Sequence, residues 1–191
     1  PDIDAMGSSM GIYRLARSMN KNAYIVNSTI GSALENFKDE LAKDSEYEDV
    51  LISKEVAIEN VEENTLLVIV DTHKKNYVES PELLKKAKKI VIIDHHRRSA
   101  DYIEDVTLTF QEVYASSAAE LVTELLQYTE TKVNLKTIEA ESLYAGIMMD
   151  TKNFTFKTGV RTFEAAAYLR KCGVDIIRVK KWFQSDLISF N

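Results

Sequence analysis

The chain has 191 residues, is 45% hydrophobic and 28% charged, and carries a net charge of −6 at pH 7. That length suits one domain, or one large lobe with an incomplete second one, and the apolar share is enough for a sizeable core. The acidic balance excludes broad electrostatic capture of long nucleic acid, though not a small phosphate ligand held by a few cations. In chain order, Ser8–Asn20 predicts a helix with Tyr13, Ala16 and Met19 on one face. A short apolar run, Ala23–Asn27, predicts a strand, and Leu34, Phe37 and Leu41 share the face of the next helix. Val50–Ser53 is a weaker strand candidate. Leu66–Asp71 and Ile90–Asp94 are stronger ones, separated by a helix that Pro81 opens ahead of Leu83, Leu84 and Ala87. From Ser116 onward the strand signal fades, and Ser116–Glu130, Leu135–Asp150, Val160–Lys171 and Val174–Phe183 all predict helices. Cys172-Gly173 is a helix stop, with Gly173 free to turn left-handed.

Apolar runs alternating with helices predict an α/β domain, a parallel sheet with flanking helices and a helical C-terminal part. No run of about 18 or more uncharged apolar residues is present to span a membrane, and there is no signal-peptide pattern. The single Cys172 rules out an internal disulfide framework and fits a reducing compartment. It reads as a small core residue near a helix end. The chain begins at Pro1-Asp2 without Met and reads as a fragment.

Four acidic motifs carry chemistry. Asp2-Ile3-Asp4 precedes Met6-Gly7-Ser8-Ser9; Asp71-Thr72-His73 and Asp94-His95-His96 each end an apolar run; Asp150 follows Met148-Met149. In an open parallel sheet, ligands bind beyond the carboxyl ends of the strands, where two of these motifs fall. All three histidines of the chain lie one or two residues from an aspartate. Carboxylates with imidazoles suit Mn²⁺, Fe²⁺ or Mg²⁺, with Mn²⁺ the most natural for a mixed set. The absence of nearby thiolates argues against structural zinc. Packed carboxylates repel unless cations sit among them, and an excess of acids suggests two metals sharing a bridging carboxylate. Plainer roles exist for each motif. Asp2 could cap a helix, Asp71 and Asp94 could cap turns, His73 could bond a backbone carbonyl, and Arg97-Arg98 could be surface charge. The two adjacent imidazoles, on an extended segment, should point opposite ways.

The ordered set D-x-D, D-x-H, D-H-H and a later Asp resembles the DHH superfamily of phosphoesterases. The stretches PDIDAMGSSMG, VDTH, IDHHRRS, ASSAAELV and MMDTKNFTFKTGVRTFEAA are similar to the catalytic domain of membrane-anchored cyclic-di-AMP phosphodiesterases of the GdpP (YybT) type, over essentially residues 1–191. The resemblance implies that Asp4, Asp71, His95 and Asp150 hold one Mn²⁺, and that Asp2 and Asp71 help hold a second, with Asp71 as the bridge. It implies that His96 faces the substrate phosphate and that Asp94 orients an imidazole. Arg97, Arg98 and His73 are grouped as substrate contacts. The implied activity is hydrolysis of cyclic di-AMP to linear pApA by metal-activated water, a step in nucleotide signalling.

The implied alternatives are a related nanoRNase or phosphoadenosine-phosphate phosphatase, and a metal- or nucleotide-binding sensor without turnover. The expected partner is a small nucleotide phosphodiester rather than long nucleic acid; a homodimer is left open. The parent protein would be membrane-anchored, with this domain at the cytoplasmic face and no membrane contact of its own. Two features of the family pattern are missing from the chain: a His four residues before the first Asp, and the smaller DHHA1 domain with its glycine-rich substrate loop.

Overall fold

A computed structural model describes residues 2–27 and 34–182. The expected parallel pairing is present, divided over two sheets among these residues. Strand β1 (Ile25–Val26) pairs with β2 (Leu51–Ile52), and β3 (Leu66–Val70), β4 (Lys89–Asp94) and β5 (Leu108–Gln111) form a second sheet in the order β3-β4-β5. The register runs from Leu66↔Lys89 to Val70↔Ile93, and from Val91↔Leu108 to Asp94↔Gln111. Both faces of this sheet are covered. Val68, Val70, Val91 and Ile93 pack into the larger core, whereas Leu67, Ile69, Ile90 and Ile92 pack into a smaller one with Ala87 and Ile103. Burial on both faces is why β3 and β4 appear in the sequence as unbroken apolar runs. Strand β5 was not expected: it lies at the sheet edge, and Leu108 and Thr109 are exposed, so it lacks such a run.

The helices are α1 (Ile3–Ser18), α2 (Glu35–Leu41), α3 (Lys54–Asn60), α4 (Pro81–Lys86), α5 (Ala118–Tyr128), α6 (Thr137–Asp150), α7 (Val160–Lys171) and α8 (Ile176–Trp182). Helix α3 was not expected; it is a short element whose Ser53 cap accepts from the Val56 N–H. The other helices fall where expected with shifted ends; Phe183, the predicted end of the last, lies outside the described residues. Cys172 caps α7, and Gly173 follows at φ +102°.

Helix α1 starts at Ile3, well before the expected Ser8, because Asp2 caps it by accepting from the Ala5 N–H at 3.0 Å. Its buried face is Met6, Met10 and Tyr13; Met19, expected on that face, is the C-cap and is 51% exposed. Helix α6 is buried on every side from Glu139 to Met148, as a helix enclosed by its neighbours must be. Glycines let α1 lie directly on it. A Cβ at Gly7 would sit 2.3 Å from the Ser142 carbonyl oxygen, and one at Gly146 would sit 3.0 Å from Asp4 Cα.

Candidate metal centre

Four elements bring the acidic motifs together. Strand β3 stops at Val70, and Asp71 turns left-handed at φ +62°, a conformation aspartate tolerates better than most residues. Its N–H still donates to the Ile93 carbonyl at 2.9 Å, extending the ladder one step past the strand. Strand β4 ends on Asp94 and delivers His95 and His96 beside Asp71. The start of α1 supplies Asp2 and Asp4, and the end of α6 supplies Asp150.

The cluster centres on His95, which is buried, as is Asp4. His95 Nε2 lies 3.2 Å from Asp150 Oδ2, 3.3 Å from Asp71 Oδ1 and 3.8 Å from Asp4 Oδ2. Asp4 is held from behind, its two oxygens each accepting from a backbone N–H at the start of α5, Ala118 and Ala119, both at 2.8 Å. A helix N-terminus carries partial positive charge and free N–H groups, so it anchors a carboxylate well. Asp2 is exposed on the rim. Asp71 Oδ1 and His95 Nε2 are buried and have no hydrogen-bond partner among the described residues.

The electrostatics show what is lacking. Burial first, then the Asp71 and Asp150 charges, hold the Asp4 carboxyl well above its usual range. Burial also raises Asp71; contact with His95 opposes this, and the Asp2 charge adds to it. Burial pulls the His95 imidazolium down, but contacts with Asp150 and Asp71 outweigh it and push its pKa up to about 10. Three carboxylates thus compete for one imidazole proton. Two sets of side chains, Asp4–His95–Asp150 and Asp71–His95–His96, each bring their ligand atoms within 4.8 Å of one another. Oxygen and imidazole donors, with two buried atoms unsatisfied, fit divalent cations.

The remaining candidates behave differently. The His95 and His96 rings do not diverge; their centroids are 4.3 Å apart, and His96 Nδ1 is 3.8 Å from Asp71 Oδ1. The expected alternation fails because Asp94 Oδ1 accepts from both the His96 backbone N–H, at 3.3 Å, and Nδ1, at 2.7 Å, folding His96 back. Asp94 thus orients His96, and these contacts hold its carboxyl below the usual range although burial opposes them. The Asp94 contact in turn raises His96. His73, expected among the substrate contacts, is 3% exposed and has both ring nitrogens occupied, by Asp94 and by Ser99. Arg98 stacks on Tyr102, its Cζ 3.8 Å from the ring centroid. Arg97 is exposed and forms no ion pair among the described residues.

The family model for the DHH family, N-terminal domain, matches residues 1–147. The chain belongs to the DHH family. It is 44% identical over its whole length to the cyclic-di-AMP phosphodiesterase PdeA of Listeria monocytogenes, and 44% identical over its whole length to the cyclic-di-AMP phosphodiesterase GdpP of Bacillus subtilis. It spans 29% of the length of each of these relatives. An exopolyphosphatase-related protein from Bacteroides fragilis shares the fold, with a TM-score of 0.79 and 22% identity over 97% of this chain and 54% of its own. Among the described residues, no helix of this DHH domain is long and apolar enough to cross a membrane.

Sequence reasoning missed several members of the site. The Ala118 and Ala119 amides carry no side-chain signature, yet Ser117-x-x-Glu120 marks a helix start there, and Ser117 accepts from the Glu120 N–H at 3.0 Å. Gln111, which donates to the His96 carbonyl at 2.6 Å, comes from the strand that was not expected.

Proposed function

We propose that this domain hydrolyses cyclic di-AMP to linear pApA with two Mn²⁺ ions, as part of a metal-dependent phosphodiesterase. The observation that carries the reading is His95, buried among Asp4, Asp71 and Asp150 with its Nε2 and Asp71 Oδ1 unsatisfied. The 44% identity to two cyclic-di-AMP phosphodiesterases supports the substrate. Divalent ions at such a site lower the pKa of water towards neutrality and clamp phosphate oxygens for in-line attack.

The chain's own residues divide the work. Asp4, Asp71, His95 and Asp150 would hold one ion, and Asp71 with Asp2 would help hold a second. Asp4 is preorganised by the α5 amides, so it needs no rearrangement to act. His96, with Nδ1–H committed to Asp94, would meet a phosphate oxygen as an imidazolium, donating from Nε2, a form the Asp94 contact favours. Arg97 adds an unpaired guanidinium for phosphate charge. We read the domain as working at the cytoplasmic face of a membrane-anchored protein, with a further lobe gripping the nucleotide.

The test is incubation of the intact protein with cyclic di-AMP and Mn²⁺, followed by separation of products. Appearance of pApA that chelator abolishes is expected. Faster turnover of short oligoribonucleotides or phosphoadenosine phosphate would reassign the substrate. Tight nucleotide binding without product would make the domain a sensor.

A further inference from the structure

We propose that Phe156 is a stacking platform for a nucleobase of the substrate, held beside the metal centre by the strained turn that follows Asp150. The inference rests on the reading of Asp150 as a metal ligand and of the substrate as a nucleotide.

It starts from the backbone. Helix α6 ends at Asp150, and Lys152, Asn153 and Phe154 follow at φ +45°, +55° and +63°, with Lys157 at +50°. A chain that merely leaves a helix uses one left-handed residue, most often glycine. Three in succession that carry side chains, a phenylalanine among them, are costly and persist only where the surroundings enforce them. The Asn153 N–H donates to the Met148 carbonyl at 2.7 Å, and Thr151 Oγ1 accepts from the Phe154 N–H at 2.9 Å. The Phe154 ring packs against Tyr144 of α6 and Phe163 of α7, with centroids 5.6 and 5.7 Å away. The turn then brings the Phe156 N–H to 2.8 Å from the carbonyl of Thr151, the residue next to Asp150.

What the turn displays is an aromatic ring among cations. Phe156 is 58% exposed, even with Lys152 Nζ lying 4.9 Å from its ring centroid. Residues 151–159 carry two lysines and no acid, in a chain of net charge −6. Neither Lys152 nor Lys157 forms an ion pair among the described residues. A bare ring and free ammonium groups, tied within one turn of a carboxylate that would hold an ion, match the two ends of a nucleotide. The base stacks on the ring, and the phosphate meets the metal centre and the ammonium charge.

The test separates stacking from a structural role of the turn. In the intact protein with Mn²⁺, Phe156→Ala should raise KM for cyclic di-AMP roughly 5- to 150-fold, the range that loss of one base stack gives. Its kcat and bound Mn²⁺ should stay unchanged, because such binding is shared by ground and transition states. Phe156→Trp restores an aromatic face and should keep KM at or below wild type. Fluorescence of the Phe156→Trp protein should be quenched by AMP and not by ribose 5-phosphate, which lacks the base; wild type, whose Trp182 is buried, gives the baseline. An unchanged KM in Phe156→Ala, an equal rise in both variants, or equal quenching by the two probes overturns the proposal. An unchanged KM with altered self-association would make the ring a protein contact instead. If wild type makes no pApA but AMP alone quenches the Phe156→Trp protein, the platform stands and the assigned substrate falls.

Discussion

Helices α1 and α6 run in opposite directions, and each end of the pair carries a buried ionic cluster. At one end, Glu139 of α6 is fully buried and fully served: Arg14 Nε lies 2.9 Å from both its oxygens, the Tyr47 hydroxyl donates at 2.8 Å, and the Lys136 N–H donates at 2.9 Å. At the other end, Asp4 of α1 and Asp150 of α6 meet Asp71 around one imidazole, and two buried atoms stay unsatisfied. The first cluster contains its own cation, a guanidinium that is always charged. The second contains a cation only while His95 is protonated. Buried charge of one sign needs compensation, so the first end is complete as a piece of structure, and the second is built to receive ions from outside.

The sharpest way to break this contrast is Asp71→Asn. It removes one charge from the position proposed to be shared by both ions without disturbing the left-handed backbone, since asparagine also tolerates φ +62°. Turnover should fall more than about 100-fold while the thermal melt survives. Two fully occupied Mn²⁺ ions in the purified variant would show that Asp71 is not shared.

Proton competition comes next. In the metal-free protein His95 has a pKa raised to about 10, so at neutral pH a proton must leave before a metal binds. A raised value means the proton stabilises the metal-free fold fully below the unfolded pKa, and this contribution is lost as pH rises through about 10. Mn²⁺ affinity should therefore rise with pH across the neutral range, by about tenfold per unit for each proton released. Calorimetry in buffers of different ionisation heat counts those protons, and a flat profile would contradict the picture.

Gly146→Ala is gentler. Its Cβ would lie 2.9 Å from Ala119 Cβ and 3.0 Å from Asp4 Oδ1, so it pushes Asp4 off the α5 amides. A loss of about 1–3 kcal/mol of stability and a drop of roughly tenfold in Mn²⁺ affinity are expected, read by urea unfolding and metal titration. The smallest effect on the site belongs to Glu139→Gln at the complete end. It should cost about 2 kcal/mol in urea unfolding by leaving Arg14 short of a partner, with Mn²⁺ affinity unchanged. Weakened metal binding there would mean the two ends are coupled through the helices.

The fold class was legible because β3 and β4 are covered on both faces, so their apolar runs and terminal acids stand out. Strand β5, with Leu108 and Thr109 exposed, and α3 gave no such run. The start of α1 was legible only in part: Asp2 could be read as a helix cap, which it is, but the apolar spacing showed the helix only from Ser8. The meeting of Asp4, Asp71, His95 and Asp150 was expected from the motif order, and the geometry brings them together. What supports them was not legible. Asp4 is held by backbone atoms over a hundred residues away in the chain, and backbone amides have no letter code. The partners of His73 depend on the loop that returns Ser99 to it. Alternation misjudged His96 because a local bond to Asp94 overrode the extended geometry.

The ladder bond from the Asp71 N–H to the Ile93 carbonyl has a consequence for how this family can vary. Asp71 and His95 are spaced by strand register, and a one-residue slip would turn every side chain of a strand to its other face. Insertions or deletions within 66–71 or 89–95 would thus dismantle the centre outright, whereas the connection between the two strands, which includes α4, can lengthen or shorten at small entropic cost. Length changes that keep the cluster intact should therefore fall in the loops, since the spacing of Asp71 and His95 follows from the register of the sheet.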